Sequence, residues 1–294
     1  SLIPELVGAT RALGAEHLSL PVWSAGTHEP DVHALARDLA RALDDAGPLR
    51  GRIALTMPRL PDALAEDLGL RSEQVLRALA GDPASWAAYL DPLLDRFGQS
   101  VGSWHVGQVG DESAMALPDL PGSLARIRDA LARLVPGPRI VVPWRADRAP
   151  PEPDALMARG ARFAVLIPAS FAPEGVRDVV SAWSPGEPGS AADHAGSFLL
   201  EPFDLGAFGA RAAVRDTALR AIFAWAGSPE GDPTLALLDP FVGGRDSRSP
   251  LMPRPDAAAL LALRHHLRGR AVVGELDVGD GLRCLVLAPR ASSA

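Results

Sequence analysis

Carboxylates and indoles dominate the residues of this chain that could do chemistry. Glu201 closes the apolar run Phe198-Leu199-Leu200, and Asp239 closes Leu235-Ala236-Leu237-Leu238. Asp111 and Glu112 stand together just beyond Trp104, His105 and Gln108, while Trp23 and Trp144 end two further apolar runs. A carboxylate can bind hydroxyls or act as acid, base or nucleophile, and an indole offers a flat face on which the C–H side of a pyranose ring stacks. These residue types together suit a neutral, polar small ligand such as a sugar.

Other chemistries find little support. Ser24-Ala25-Gly26 and Ala169-Ser170-Phe171 lack the Gly-x-Ser-x-Gly elbow of serine hydrolases. No Gly-x-Gly-x-x-Gly or Walker loop occurs, and Gly206-Ala207-Phe208-Gly209 is too sparse to cradle a phosphate. His28 and His33 do not have the spacing of a helical metal pair, and the adjacent His265 and His266 cannot share one helix face. No metal or organic cofactor is called for.

The elements that must position the strand-end residues follow from hydrophobic patterning. Short apolar runs at Leu18–Trp23, Arg52–Met57, Val101–Gln108, Arg139–Trp144, Arg162–Ile167, Ser197–Glu201 and Thr234–Asp239 read as seven buried strands. Amphipathic stretches between them predict helices near residues 2–15, 30–46, 72–80, 85–97, 121–134, 153–159, 173–183, 209–226 and 256–268, several with proline in the first turn. Strands alternating with helices predict an α/β fold with a parallel sheet. In a parallel barrel, functional side chains gather where the strands end. Residues 184–196 and 243–255 read as long polar loops, and residues 271–276 and 282–287 around Asp277–Gly281 read as a β-hairpin with a DG turn. The expected organisation is a barrel domain over residues 1–269 and an accessory β segment over residues 270–294.

Composition narrows the partners. The 294 residues suffice for one large α/β domain with a substantial core. A net charge of −7 gives no electrostatic footprint for nucleic acid or an anionic membrane. All 29 basic residues are arginine and asparagine is absent, the imprint of a GC-rich, bacterial genome, which reduces what any one arginine signifies. A single cysteine, Cys284, excludes an internal disulfide. No apolar run reaches the 18 residues of a membrane span. The chain opens at Ser1 with neither Met nor a leader pattern, so the expectation is a piece of a longer polypeptide, with an extracellular or cell-envelope location favoured.

Two segments carry a family resemblance. Phe97-Gly-Gln-Ser-Val-Gly-Ser-Trp104-His-Val-Gly107-Gln108-Val109 resembles the fourth strand of the (β/α)8 glycoside hydrolases of clan A, where an acid/base Glu follows an Asn. Phe198-Leu-Leu-Glu201-Pro202 resembles their seventh strand, which ends in the nucleophile Glu, and the two intervening strands fall in the right order. Residues 253–276 resemble the final helix of such barrels running into an accessory β-domain. The resemblance implies a (β/α)8 TIM-barrel-like fold whose first strand lies upstream of Ser1, with Thr234–Asp239 as its eighth.

That resemblance also implies a departure. Gln108-Val109 stands where the family has Asn-Glu, and valine cannot donate a proton. Loss of a general acid removes about 10²–10⁴ of rate, so Asp111 or Glu112 would have to substitute. One reading is therefore a retaining glycosidase-like barrel with Glu201 as nucleophile, Asp111 or Glu112 as acid, and Trp23, Trp104, Trp144, His105, Gln108 and Asp239 around the carbohydrate. His105 would face away from Trp104 along its strand. The other is a pseudo-glycosidase, a sugar-binding or assembly module of a larger surface or envelope protein. Unrelated barrel chemistry is a third, because fold alone does not fix function.

Overall fold

The computed structural model describes residues 3–45, 53–101, 103–151, 161–183, 195–228, 233–242, 251–277 and 283–289. Its contacts divide the chain into two units, Ser1–Leu166 with Gly243–Met252, and Ile167–Val242 with Pro253–Ala294.

The first unit alternates helix and strand: α1 (Ile3–Ala12), β1 (Leu18–Pro21), α2 (Glu29–Asp45), β2 (Ile53–Met57), α3 (Asp62–Asp67), α4 (Val75–Leu79), α5 (Ala87–Phe97), β3 (Ser103–Val106), α6 (Leu120–Leu131), β4 (Ile140–Arg145) and β5 (Ala161–Ile167). Each of the pairs β1–β2, β2–β3, β3–β4 and β4–β5 is parallel. Ile53, Leu55 and Met57 of β2 are buried, as are all but one residue of β5. Strands covered on both faces need apolar residues at successive positions, which is why these runs lack strict alternation. Helix α2 buries only one stripe, Val32, Ala36, Leu39, Ala42 and Leu43, at the three- and four-residue spacing of an amphipathic helix.

The second unit holds α7 (Pro173–Trp183), β6 (Ala195–Leu200), α8 (Leu205–Gly227), β7 (Leu235–Leu237), short strands β8 (Phe241–Val242) and β9 (Met252–Pro253), α9 (Pro255–Leu267), and an antiparallel hairpin of β10 (Arg270–Asp277) and β11 (Arg283–Pro289). Strands β6 and β7 are parallel, and β1 to β7 follow one another in chain order within one sheet. Asp204 caps α8 by accepting from the Gly206 amide at 2.8 Å. The helix is interrupted at Gly209 (φ 77°, ψ 161°), so its regular part begins where the sequence predicts a helix, near residue 209.

The order of elements is the one expected, with differences at the edges. Strand β6 begins at Ala195, inside the stretch read as loop, and α3 replaces an expected connection because Pro61-Asp62 is a helix-starting pair. Met252–Pro253 and Pro255 likewise belong to a strand and a helix. The helix expected at residues 153–159, the loop residues 184–194 and 243–250, and the hairpin turn at 278–282 lie outside the described residues. Among the described residues, no helix is long and apolar enough to cross a membrane.

Candidate functional site

Glu201 follows β6 directly and is half-buried. Its carboxylate Oε2 accepts from the Ala169 amide at 2.9 Å, and its own amide donates to the Ile167 carbonyl at 3.0 Å. The end of β6 is thus fastened to the end of β5 through both the backbone and the carboxylate. Behind it lies Arg220 of α8, fully buried. Its Nη1 donates to the Glu201 carbonyl at 2.6 Å, and its Nη2 donates to the carbonyls of Ile167 at 2.6 Å and Pro168 at 2.7 Å. Asp216, one helical turn earlier, supplies the countercharge at 3.4 Å. Burial pushes the Asp216 carboxyl up while the adjacent Arg220 charge pulls it down, and burial pulls the Arg220 guanidinium down.

A second arginine acts two residues further along. Arg254 Nη2 donates to the Phe203 carbonyl at 2.7 Å, and its Nε pairs at 3.0 Å with Asp256, whose side chain is wholly buried. The Phe203 ring in turn meets Phe208, with centroids 5.1 Å apart, and Phe208 is 61% exposed. An aromatic this exposed, stacked on a ring two residues past a strand-end carboxylate, offers the kind of apolar face a sugar ring uses. Neither Phe208 nor the two arginines stands out in the sequence. In sequence, Gly206-Ala-Phe-Gly209 reads only as a segment too sparse to cradle a phosphate, and arginine is the chain's only strong base.

The loop after β3 lies in the first unit. Gly107 (φ 103°) and Gly110 (φ 87°) let the chain turn sharply there, and a Cβ at Gly107 would stand 3.2 Å from the Pro143 ring. Gln108 is exposed and accepts from Arg59 Nε at 2.9 Å. Asp111 accepts from the Ser113 amide through Oδ1, while its buried Oδ2 has no hydrogen-bond partner. Glu112 is ion-paired at 2.7 Å with Arg148, both half-exposed. His105 and Ser103 face away from Trp104 and Val106, as strand alternation requires, and His105 lies 3.4 Å from Ser103 Oγ. Burial pulls its imidazole down to about 4.

The tryptophans are less open than their strand-end positions suggest. Trp23 lies two residues past β1, is 1% exposed, and donates its indole N–H to the Tyr89 carbonyl at 3.1 Å. Trp104 is fully enclosed, and its indole N–H has no partner. Trp144 sits edge-on to Phe163 at 5.5 Å and donates to the Ala149 carbonyl at 3.2 Å. All three rings are core residues here, so none presents a face to solvent. Asp239 is exposed and takes a left-handed conformation (φ 48°) before Pro240, the geometry of a turn residue. Among the described residues, no three His, Cys, Asp or Glu side chains gather as a metal set.

No protein-family model matches the chain, and comparison with curated proteins gives no match. Solved structures do match. The GH5_18 protein from Streptomyces cattleya in complex with GlcNAc superposes with a TM-score of 0.57 at 15% identity, covering 90% of this chain and 74% of that one. The hyperthermostable endo-1,4-beta-D-mannanase from Thermotoga petrophila gives 0.57 at 12% identity, with 90% and 95% covered. An exo-beta-1,4-mannosidase from Opitutaceae bacterium strain TAV5 gives 0.54 at 14%, with 80% of this chain but 47% of that one covered. The chain therefore has a parallel, TIM-barrel-like α/β fold like that of these solved structures, with a β-hairpin near its C-terminal end.

Proposed function

We propose that this chain is a glycoside-hydrolase-like module that recognises a carbohydrate where its parallel strands end, with Glu201 as the central acidic group. The observation that carries this reading is the carboxylate of Glu201, half-buried at the end of β6 and held in one orientation by the Ala169 amide, in a fold shared with carbohydrate-active proteins. In a retaining mechanism Glu201 attacks the anomeric carbon, and a second carboxyl protonates the departing oxygen and then activates water. Asp111 and Glu112 are the proposed donors, with Gln108, His105 and Asp239 as further proposed ligand contacts. Phe208 joins them as a stacking surface. The structural neighbours include complexes with GlcNAc and Manb1-4GlcNAc and an endo-1,4-beta-D-mannanase, which makes β-linked mannose and N-acetylglucosamine units the first ligands to try.

A specific observation favours a second reading, the pseudo-glycosidase. Gln108-Val109 supplies no acid, Gln108 is engaged by Arg59, and Glu112 is paired with Arg148. In this reading the module binds sugar or assembles within a larger surface or envelope protein and turns nothing over.

Calorimetry with mannose, N-acetylglucosamine and Manβ1-4GlcNAc, beside release of an aryl β-mannoside, tests both. Binding with release that disappears in Glu201→Gln supports the enzyme, and binding without release supports the pseudo-glycosidase. No binding of any of the three sugars, with Glu201→Gln indistinguishable from the parent, overturns the carbohydrate reading.

A further inference from the structure

We propose that Arg220 and Arg254 form a two-point clasp that positions Glu201, gripping backbone carbonyls at and beyond it. The inference rests on Glu201 being the working carboxylate. One planar fork, Arg220, spans three carbonyls on two strand ends: Ile167 and Pro168 after β5, and Glu201 after β6. A second fork, Arg254, takes the carbonyl of Phe203. The carboxylate is then fixed indirectly. Glu201 Oε2 finds its donor on Ala169, next to the clasped Pro168, so the donor and acceptor sides of that bond are both held from behind by one side chain.

The sheet does not need this arrangement for its register. Strand β6 is already paired with β7 over Phe198–Leu200, and the Glu201 amide already bonds to Ile167. Burying a guanidinium is unfavourable unless its charge is matched and its N–H groups are used. Here both charges are matched by their own carboxylates, Asp216 and Asp256, and both Nη groups of Arg220 are used, its Nε alone lacking a partner. Two internally neutralised arginine–aspartate pairs converge on the three residues Glu201 to Phe203. With Oε2 committed to Ala169, Glu201 Oε1 is the oxygen left to meet a ligand. Lysine cannot replace Arg220, because a single ammonium lacks the fork that reaches carbonyls on two strand ends at once. Both arginines are positioning residues.

The test reads backbone order and carboxylate placement by NMR in the whole chain. In Arg220→Lys, amide exchange at Ala169 and Glu201 rises at least tenfold while β2 amides keep their protection. The Ala169 amide proton, shifted downfield by its carboxylate partner, moves upfield, and affinity for Manβ1-4GlcNAc falls at least fivefold with the melting temperature within a few degrees of the parent. Should that variant fold poorly, Arg220→Met combined with Asp216→Leu removes both charges together, and the same two amides are read. Unchanged exchange and an unchanged Ala169 shift in the folded variant overturn the clasp. Raised exchange in a protein whose Glu201→Gln variant alters no sugar interaction instead overturns the carbohydrate reading and leaves the clasp standing.

Discussion

Arg177 of α7 and Glu275 of β10 form an ion pair at 2.9 Å across 98 residues of sequence, and together with the Trp225 indole, which donates to the Arg270 carbonyl at 3.2 Å, they fasten the C-terminal hairpin to its own unit. The two contacts are unequal. The ion pair is part-exposed on both sides, and such pairs contribute about 0–1 kcal/mol. Trp225 is 3% exposed, and Trp225→Phe loses both its hydrogen bond, about 0.5–1.5 kcal/mol, and part of its buried ring packing. Trp225→Phe is therefore expected to raise amide exchange across β10 and β11 more than Arg177→Met does. Equal effects would contradict this ranking.

His105 makes the fold acid-sensitive. Its folded pKa is lowered from 6.5 to about 4, so the native state favours the neutral ring. The stability this supplies is complete above 6.5 and is lost as pH falls through about 4. A shift of this size corresponds to at most roughly 3 kcal/mol. Urea midpoints at pH 7 and pH 4.5 are expected to differ less in His105→Gln than in the parent, and equal differences would refute the assignment.

Asp239 permits its turn and its ligand role to be separated. At φ 48° glycine is relaxed and a β-branched residue is strained by about 1–2 kcal/mol. Asp239→Gly is expected to keep or slightly raise the melting temperature, whereas Asp239→Val lowers it. If Asp239→Gly also keeps sugar affinity, the residue serves the turn alone.

Phe208 gives the most direct test of a stacking surface. Being 61% exposed, it contributes little to the core, so Phe208→Ala is expected to change stability by about 0.5 kcal/mol or less. Affinity for Manβ1-4GlcNAc falls several-fold in the same variant, measured by calorimetry. Intact affinity would remove Phe208 from the site.

Much of the architecture was legible because parallel strands buried on both faces leave unbroken apolar runs, and β2, β5 and β6 each sit within two residues of where that signal puts them. Glu201 was legible for the same reason, as a carboxylate ending such a run. Trp23 and Trp104 misled because position along a strand does not say which way a ring turns; Trp23 finds the carbonyl of Tyr89, 66 residues away. Arg220 was hidden by abundance. Among 29 arginines, nothing local marks the one whose partners lie 19, 52 and 53 residues back.

Cys284 is exposed on β11, directly across from Leu276 on β10, and it is the only thiol in a chain without lysine. A maleimide probe would thus attach at a single defined point on the hairpin, with no lysine amine competing for the reagent. Tethering through that point would present every copy of the molecule to a glycan array in the same orientation, and a spin label there would report hairpin motion without any engineered substitution.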